Sequence, residues 1–373
     1  MEVAESKFQQ FFTYLEIFLF LLIGFTPLFP QYINVVLAII LIIFNFRYTK
    51  NVKIIKLLYL IGVTIFFSIS ILRDLIQYNT VSPLDFYFII TFFIGFIFSE
   101  RYDFKTFFFK LEKIIFVLAC VSLIGVFMYT FFSSYVKLFP TYTYYNTTHI
   151  TSYFHNFLLV EGNILKRNTG IAWEPGACQF ILNLGLFSYL KYNHEYKYSH
   201  ILIYLISVVT TLSSTGLIIL SLILLKFFWK NRKLRYLILC LLLFLFPVLQ
   251  QILEKQISNK FNDANLFIRF DPLKTAFHEG VKEIIGIGNI AFERYYILNF
   301  QYPWDSYGQM FIRYGYILIF IVGTRLIKIL RVDTSLFFIL FLTFLTENIW
   351  FFPIVTILYF YSFDMLKNKG ERQ

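Results

Sequence analysis

The sequence predicts an all-α integral membrane protein, a polytopic bundle of about 12 transmembrane helices with two long loops on one face. Three observations predict it. Hydrophobic residues make up 58% of the chain and charged residues only 15%, and mean hydropathy is +0.67. A soluble domain of 373 residues needs far more polar surface to cover it. Long apolar runs recur from end to end, and basic residues cluster on alternate connections.

With roughly 20 apolar residues as the length of a span, helices are expected at 14–29, 31–46, 55–76, 84–99, 113–135, 171–190, 199–213, 215–229, 234–251, 308–327, 334–348 and 350–366. The N-terminal MEVAESKFQQFF has no small-residue cleavage site. The first apolar segment is therefore expected to stay as a membrane helix. Lys and Arg follow the second, fourth, eighth, tenth and last spans, for example Arg47, Lys50, Lys53 and Lys56. The positive-inside rule then places both termini in the cytoplasm and makes the span count even. It also accounts for the net charge of +11 without a nucleic-acid partner. Cys120, Cys178 and Cys240 lie in or beside apolar segments with no CxxC pair and no Cys/His cluster. Neither a disulfide frame nor a zinc site is indicated.

The whole chain is read as one membrane domain. Its two long extracytoplasmic loops run 136–170 and 252–307. Long connections on a compact scaffold carry function more often than short ones. In the second loop, Asp271-Pro272 opens an amphipathic helix near 271–285, with Leu273, Ala276, Phe277, Val281 and Ile284 on one face and Lys274, His278 and Lys282 on another. Gly286 and Gly288 end it.

The first loop rejoins the membrane through RNTGIAWEPGACQF, residues 167–180. Gly170, Pro175 and Gly176 bend the chain there, and Arg167 and Glu174 charge the bend. An interfacial arginine is often an anchor, and Trp173 suits the aromatic belt equally well. Together they fit a site for a charged headgroup. The planar fork of Arg167 suits a diphosphate. Arg269 and Arg294 bracket the helix of the second loop and are further diphosphate candidates, or solvated loop charges. His278 is a candidate general base or a surface histidine. Asp305 stands where the second loop re-enters the membrane, as Glu174 does for the first. Either carboxylate can accept a proton, and Asp305 can equally cap a helix. Tyr142, Tyr144 and Tyr145 in TYTYYNTTH, with Trp173 and Trp304, offer aromatic faces to sugar rings or line an interfacial belt. No carboxylate cluster at metal-ligand spacing is present in the loops, so a scheme without metal or other cofactor is expected.

These residues carry a resemblance. The chain is similar to the superfamily of bacterial O-antigen polymerases and O-antigen ligases (the Wzy and WaaL type). The likeness rests on the many spans, the two outer loops and three local patterns. One is Arg167, Gly170, Ile171–Ala172 and Glu174–Pro175. Another is LSSTGLIIL at 212–220. The last is Arg269, the helix, GIG at 286–288, then Asp305–Ser306 and Gly315. The resemblance implies a glycosyltransferase acting at the outer leaflet of the cytoplasmic membrane. Its donor and acceptor would be undecaprenyl-pyrophosphate-linked glycans, and a chain-length regulator is a further implied partner beside membrane lipids. Ligases of the superfamily carry His-Asn where this chain has Asp305–Ser306, which favours the polymerase branch. A lipid-linked oligosaccharide flippase is the rival reading. It is disfavoured because charges collect at the outer mouth rather than in mid-membrane broken helices.

Overall fold

The structure is a computed structural model. It describes residues 7–26, 31–49, 52–144, 147–152, 155–160, 163–164, 167–193, 197–229, 284–294 and 305–364. Among these the chain is mostly helical. In order the helices are α1 (Lys7–Leu22), α2 (Gln31–Phe46), α3 (Ile54–Tyr78), α4 (Pro83–Arg101), α5 (Phe104–Phe131), α6 (Ser133–Val136), α7 (Pro175–Tyr192), α8 (Tyr198–Thr210), α9 (Ser214–Phe228), α10 (Asn289–Phe292), α11 (Ser306–Val332), α12 (Thr334–Phe344) and α13 (Pro353–Tyr361).

Three of them, α3, α4 and α5, are long and apolar enough to cross a membrane, and α8, α9, α12 and Tyr32–Phe46 are shorter apolar helices. The helix α3 is apolar on its exposed face and buries its polar residues among Leu60, Val63, Phe66 and Phe67. Leu58, Ile61, Ile65, Ile69, Leu72 and Ile76 are exposed along one stripe, whereas Lys56, Ser70 and Asp74 are buried. That polarity suits a hydrocarbon solvent and marks a membrane protein. Several bounds differ from expectation. The fifth expected span, 113–135, begins at Phe104 because Asp103 caps the helix, accepting from Thr106 N at 3.0 Å. Lys105, Lys110 and Glu112 are helical all the same. The first span, expected at 14–29, lies at Lys7–Leu22. The tenth, expected at 308–327 as one rod, is broken at Gly315 (φ 65°, ψ −160°). The ninth, 234–251, lies outside the described residues.

The first long loop is the exception to the helical class. It forms an antiparallel meander of β1 (Thr141–Tyr144), β2 (Thr147–Thr151), β3 (Asn156–Val160) and β4 (Asn163–Ile164). Tyr142 pairs with His149 and Thr148 with Leu159. Ile150 and Phe157 pack with Tyr129 of α5 and Val136 of α6 into one apolar cluster, which seats the sheet on the helix end.

Two compact units divide the chain. The first is Met1–Thr49, Arg101–Ile223 and Phe352–Ile354; the second is Lys50–Glu100, Leu224–Phe351 and Val355–Gln373. In the first, α5 packs on α1, α7 and α8. Gly185 of α7 permits the approach, since a Cβ there would run into Ile115 and Tyr204. Tyr204 OH reaches Glu112 Oε1 at 3.2 Å. In the second unit Phe67, Phe88, Tyr314 and Trp350 form an aromatic core. Gly95 of α4 lies against Thr356 of α13, whose hydroxyl donates to Thr91 O at 2.8 Å. Lys56 is buried and pairs with Glu100 at 2.8 Å and Asp364 at 2.7 Å. The start of α3, the end of α4 and the residues after α13 therefore lie together.

Candidate functional site

The RNTG segment of the first unit is sewn to the end of α8. An α-helix leaves its last carbonyls without intrahelical partners, and that end carries partial negative charge. Arg167 supplies what is missing. Its Nε donates to Thr211 O at 2.9 Å and its Nη2 to Leu212 O at 3.2 Å. Asn168 N donates to Thr210 O at 2.9 Å. The Asn168 amide is buried and donates to Ser122 Oγ and Thr210 Oγ1, both at 3.0 Å, while its Oδ1 accepts from Gly170 N at 3.0 Å. Gly170 has φ +52°, and a Cβ there would sit 3.0 Å from Cys178 Sγ, so only glycine fits.

Asn156 of β3 ties the sheet to the same bend. Its N–H donates to Gly170 O and its Nδ2 to Ile171 O, both at 2.7 Å, and its Oδ1 accepts from Tyr142 OH at 3.0 Å. Tyr142 also stacks on His149, with centroids 5.3 Å apart. Its ring is thus engaged within the sheet. Tyr144 stands in β1, and Tyr145 lies outside the described residues. Glu174 occupies the cap position of α7, with Pro175 opening the helix, yet its carboxylate makes no cap bond. It accepts instead from Trp173 Nε1 at 2.8 Å. The Trp173 ring packs against Phe352 and Phe25. Two histidines complete this mouth. Burial pushes His149 down to about 4 and His155 down to about 3, so both are neutral at physiological pH. His155 is buried against Phe157 and Gly125, and neither of its ring nitrogens has a hydrogen-bond partner.

The α8–α9 turn and α7 form the wall beside Arg167. Asn183 Nδ2 donates to Gln179 Oε1 at 2.9 Å and to Gly216 O at 3.1 Å. The first two sequence patterns, Arg167 to Pro175 and the LSSTG stretch, are therefore one structure.

The second unit holds Asp305 and Arg294. Asp305 caps α11, accepting from Gly308 N at 2.7 Å. Burial raises its carboxyl above the ordinary range, against the pull of backbone N–H groups at Gly308, Asp305 and Tyr307. Ser306 donates to Glu347 O at 2.5 Å and accepts from Ile349 N at 3.0 Å, so it pins the α12–α13 connection. Arg294 is exposed, with its guanidinium 5.0 Å from the Tyr78 ring centroid. Arg269, His278, Trp304 and nearly all of the amphipathic helix expected at 271–285 lie outside the described residues.

Sequence reasoning missed a buried charged clasp in this unit. The break at Gly315 strands carbonyls of α11. The GIG turn answers it: Ile287 N donates to Ile312 O and Gly288 N to Arg313 O, both at 2.9 Å. Arg73 of α3 donates to Gly286 O at 2.5 Å. Its neighbour Asp74 accepts from Ile290 N at 3.3 Å. Arg313 donates to Asn289 Oδ1 at 2.6 Å, Asn289 to Tyr314 OH at 2.6 Å, and Tyr314 to Asp85 Oδ1 at 2.8 Å. The signal was present in the sequence. Arg73, Asp74, Asp85 and Arg313 are ionisable residues within apolar runs, which membranes admit only where they are partnered. Among the described residues no group of three or more His, Cys, Asp and Glu side chains could hold a metal ion.

No family model, curated protein or solved structure matches this chain. The first unit holds a fixed guanidinium beside buried histidines and amides that the bend and the sheet already engage. In the second, Arg73 and Asp74 meet each other and the backbone in and after the GIG turn, Arg313 and Asp85 are joined through Asn289 and Tyr314, and Asp85 Oδ2 has no hydrogen-bond partner.

Proposed function

We propose that the chain is a polysaccharide repeat-unit polymerase of the Wzy type, a glycosyltransferase. It joins undecaprenyl-pyrophosphate-linked oligosaccharides at the outer leaflet of the cytoplasmic membrane. One observation carries the reading. The arginine pattern and the Ser/Thr-Gly pattern of the resemblance meet in space, because the Arg167 guanidinium is anchored on the carbonyls of Thr211 and Leu212. Residues that only the resemblance links in sequence are thus joined by hydrogen bonds.

In this scheme an acceptor hydroxyl oxygen attacks the anomeric carbon of the donor sugar. The carbon–oxygen bond to the lipid diphosphate breaks, and the configuration inverts. Arg167 stabilises the charge that develops on the departing diphosphate, an effect typically worth about 3–4 kcal/mol. Arg269 and Arg294 of the second loop are further candidates for that charge. A carboxylate or imidazole takes the hydroxyl proton, typically a ~100-fold effect or more, and Asp305, Glu174 and His278 are the candidates. No metal enters the scheme. Both termini are cytoplasmic, and the reaction faces outward.

The test is a gel profile of surface polysaccharide from a deletion strain with and without a plasmid copy. Collapse of a ladder to a single repeat on its normal anchor is the expected result, and Arg167→Ala reproduces it with the protein still present. A complete ladder retained on undecaprenyl pyrophosphate would instead mean the ligase of the same superfamily.

A second reading, a flippase or other transporter, is favoured by the α11 break at Gly315 among Asp74, Asp85 and Arg313. Asp74 is engaged by Ile290 N and Arg313 by Asn289, whereas Asp85 Oδ2 has no hydrogen-bond partner; polymerase ranks first because two patterns of the resemblance meet at Arg167. Glycolipid movement in vesicles without chain extension would reverse the order.

A further inference from the structure

We propose that Arg325 and Lys328 of α11, with Tyr59 of α3, bind the phosphate of an anionic phospholipid. The site lies within the second unit and is independent of the polymerase reading.

Arg325 stands about two turns before the end of α11 and is only 9% exposed. Its guanidinium packs on two rings, with Cζ 4.0 Å from the Phe363 centroid and 5.1 Å from that of Tyr59. Among the described residues it makes one long hydrogen bond, from Nε to Thr324 Oγ1 at 3.4 Å, and Nη1 has no partner. No described carboxylate pairs with it. Asp364, next to Phe363, is held by Lys53 at 2.5 Å and Lys56 at 2.7 Å, and Glu100 by Lys56 at 2.8 Å. Arginine stays protonated, so this is a buried positive charge. Contact with aromatic faces is worth about 0.5–2 kcal/mol, less than the several kcal/mol that desolvating an ion costs. An anion would offset the difference.

Tyr59 is the second observation, and it comes from another helix. Its hydroxyl is buried and has no hydrogen-bond partner. Lys328, one turn on from Arg325, is partly buried, and its Nζ lies 4.8 Å from the same Phe363 centroid. Like charges three residues apart on a helix repel. A fork, a hydroxyl and an ammonium thus gather around Phe363, and a phosphate accepts from all three kinds of donor.

The surroundings select a lipid phosphate. Lys328 follows the tenth expected span, at the end of the bundle that the positive-inside rule assigns to the cytoplasm. Basic pockets between membrane helices at that level suit anionic headgroups. Apolar surface flanks Tyr59 along α3: Ile55 is 54% exposed, and nothing lies within 4 Å of a would-be Cβ on Gly62. That open surface suits acyl chains.

The test uses the full chain in detergent micelles. Thermal unfolding is followed while dioleoyl phosphatidylglycerol, dioleoyl phosphatidylcholine or glycerol 3-phosphate is added. A ligand of the folded state raises the midpoint as its concentration rises. Phosphatidylglycerol is expected to raise it, phosphatidylcholine only at about tenfold higher concentration or more, and glycerol 3-phosphate not at all. Tyr59→Phe keeps the ring and removes the hydroxyl. It should weaken phosphatidylglycerol about tenfold, the size of one charge-assisted hydrogen bond. Arg325→Gln should weaken it further. Lys105→Gln removes an exposed cation of the first unit and should leave it unchanged. Wild-type affinity in Tyr59→Phe would overturn the inference, whether or not Arg325→Gln folds. An equal response to the two lipids would overturn it too. So would a loss in Lys105→Gln as large as that in Arg325→Gln, which would mean net charge alone. Binding of glycerol 3-phosphate with the same dependence on Tyr59 and Arg325 would assign the site to a soluble phosphate and refute the lipid.

Discussion

Gly288→Ala tests whether the GIG turn is built around a missing side chain. Gly288 has φ 87° and ψ 169°, a region that only glycine visits without strain, so alanine costs about 1–3 kcal/mol in backbone energy alone. The added Cβ would also meet the Arg73 guanidinium and Asp74 Oδ1. Arg73 must then move, and its bond to Gly286 O at 2.5 Å is charge-assisted, worth about 1.5–3 kcal/mol. The expected loss is about 3–5 kcal/mol. Gly62→Ala is the matched control. It lies within α3, and nothing stands within 4 Å of its would-be Cβ, so alanine there should gain about 0.5–1 kcal/mol. The assay is thermal unfolding in detergent micelles, followed by tryptophan emission. Gly288→Ala should unfold far below Gly62→Ala. If the two variants unfold together, the clasp between the GIG turn, α3 and α11 is not as described.

Other outcomes follow from single groups. His155→Phe should stabilise the chain by about 1–2 kcal/mol, because it replaces a buried ring whose nitrogens lack partners; a destabilised variant would mean the imidazole is bonded. The same burial gives a pH signature. The folded values, about 4 for His149 and about 3 for His155, lie below the unfolded value near 6.5. The unfolded state therefore binds more protons as pH falls below that value. Stability should be full above it and fall by about 1.4 kcal/mol per pH unit for each histidine on the way down, and hydrogen exchange of the sheet amides would read it. Asp305→Asn keeps the cap of α11 and should unfold with the wild type, whereas Asp305→Ala should lose about 1 kcal/mol. If Asp305 is the general base, the asparagine variant will make only single repeats, and normal ladders would remove it from that role. Ser306→Ala should cost about 2 kcal/mol, since both of its bonds to the α12–α13 connection are lost, measured by the same unfolding assay.

Hydropathy made most helices legible because lipid asks little of a sequence beyond length and apolarity. It misplaced ends where chemistry overrode it. Asp103 begins α5 among charged residues that a hydropathy window discards, and Gly315 breaks α11 inside a run that reads as continuous. The sheet was legible in principle. TYTYYNTTHIT alternates β-branched and aromatic residues about a turn, which is a hairpin signal, but the same residues read equally as sugar-stacking aromatics. Within the candidate site, Arg167, Glu174 and Asp305 drew attention as charges at loop ends. Asn156, Asn168 and Gln179 did not, because an uncharged amide gives no sign in the sequence of what it will meet. Their role depends on contacts with residues 13–46 positions away, for instance Asn168 with Ser122 and Asn156 with Gly170.

The polar residues at these mouths serve two demands that sequence alone does not separate. Non-helical backbone near a membrane core must find partners within the protein. Arg167 and Asn168 meet that need at the end of α8, as Arg73, Asp74 and the GIG turn do at the break of α11. A guanidinium held on two carbonyls is also a pre-positioned cation, whose charge need not reorganise when a diphosphate departs. The two demands part company under one substitution. Arg167→Lys keeps the charge but replaces a planar fork with a single point donor. If the arginine only caps α8, the variant should lose about 1–2 kcal/mol of stability and keep full-length ladders at permissive temperature. If the fork meets the diphosphate, ladders should shorten at every temperature at which the protein remains folded, and pyrophosphate affinity should fall with them.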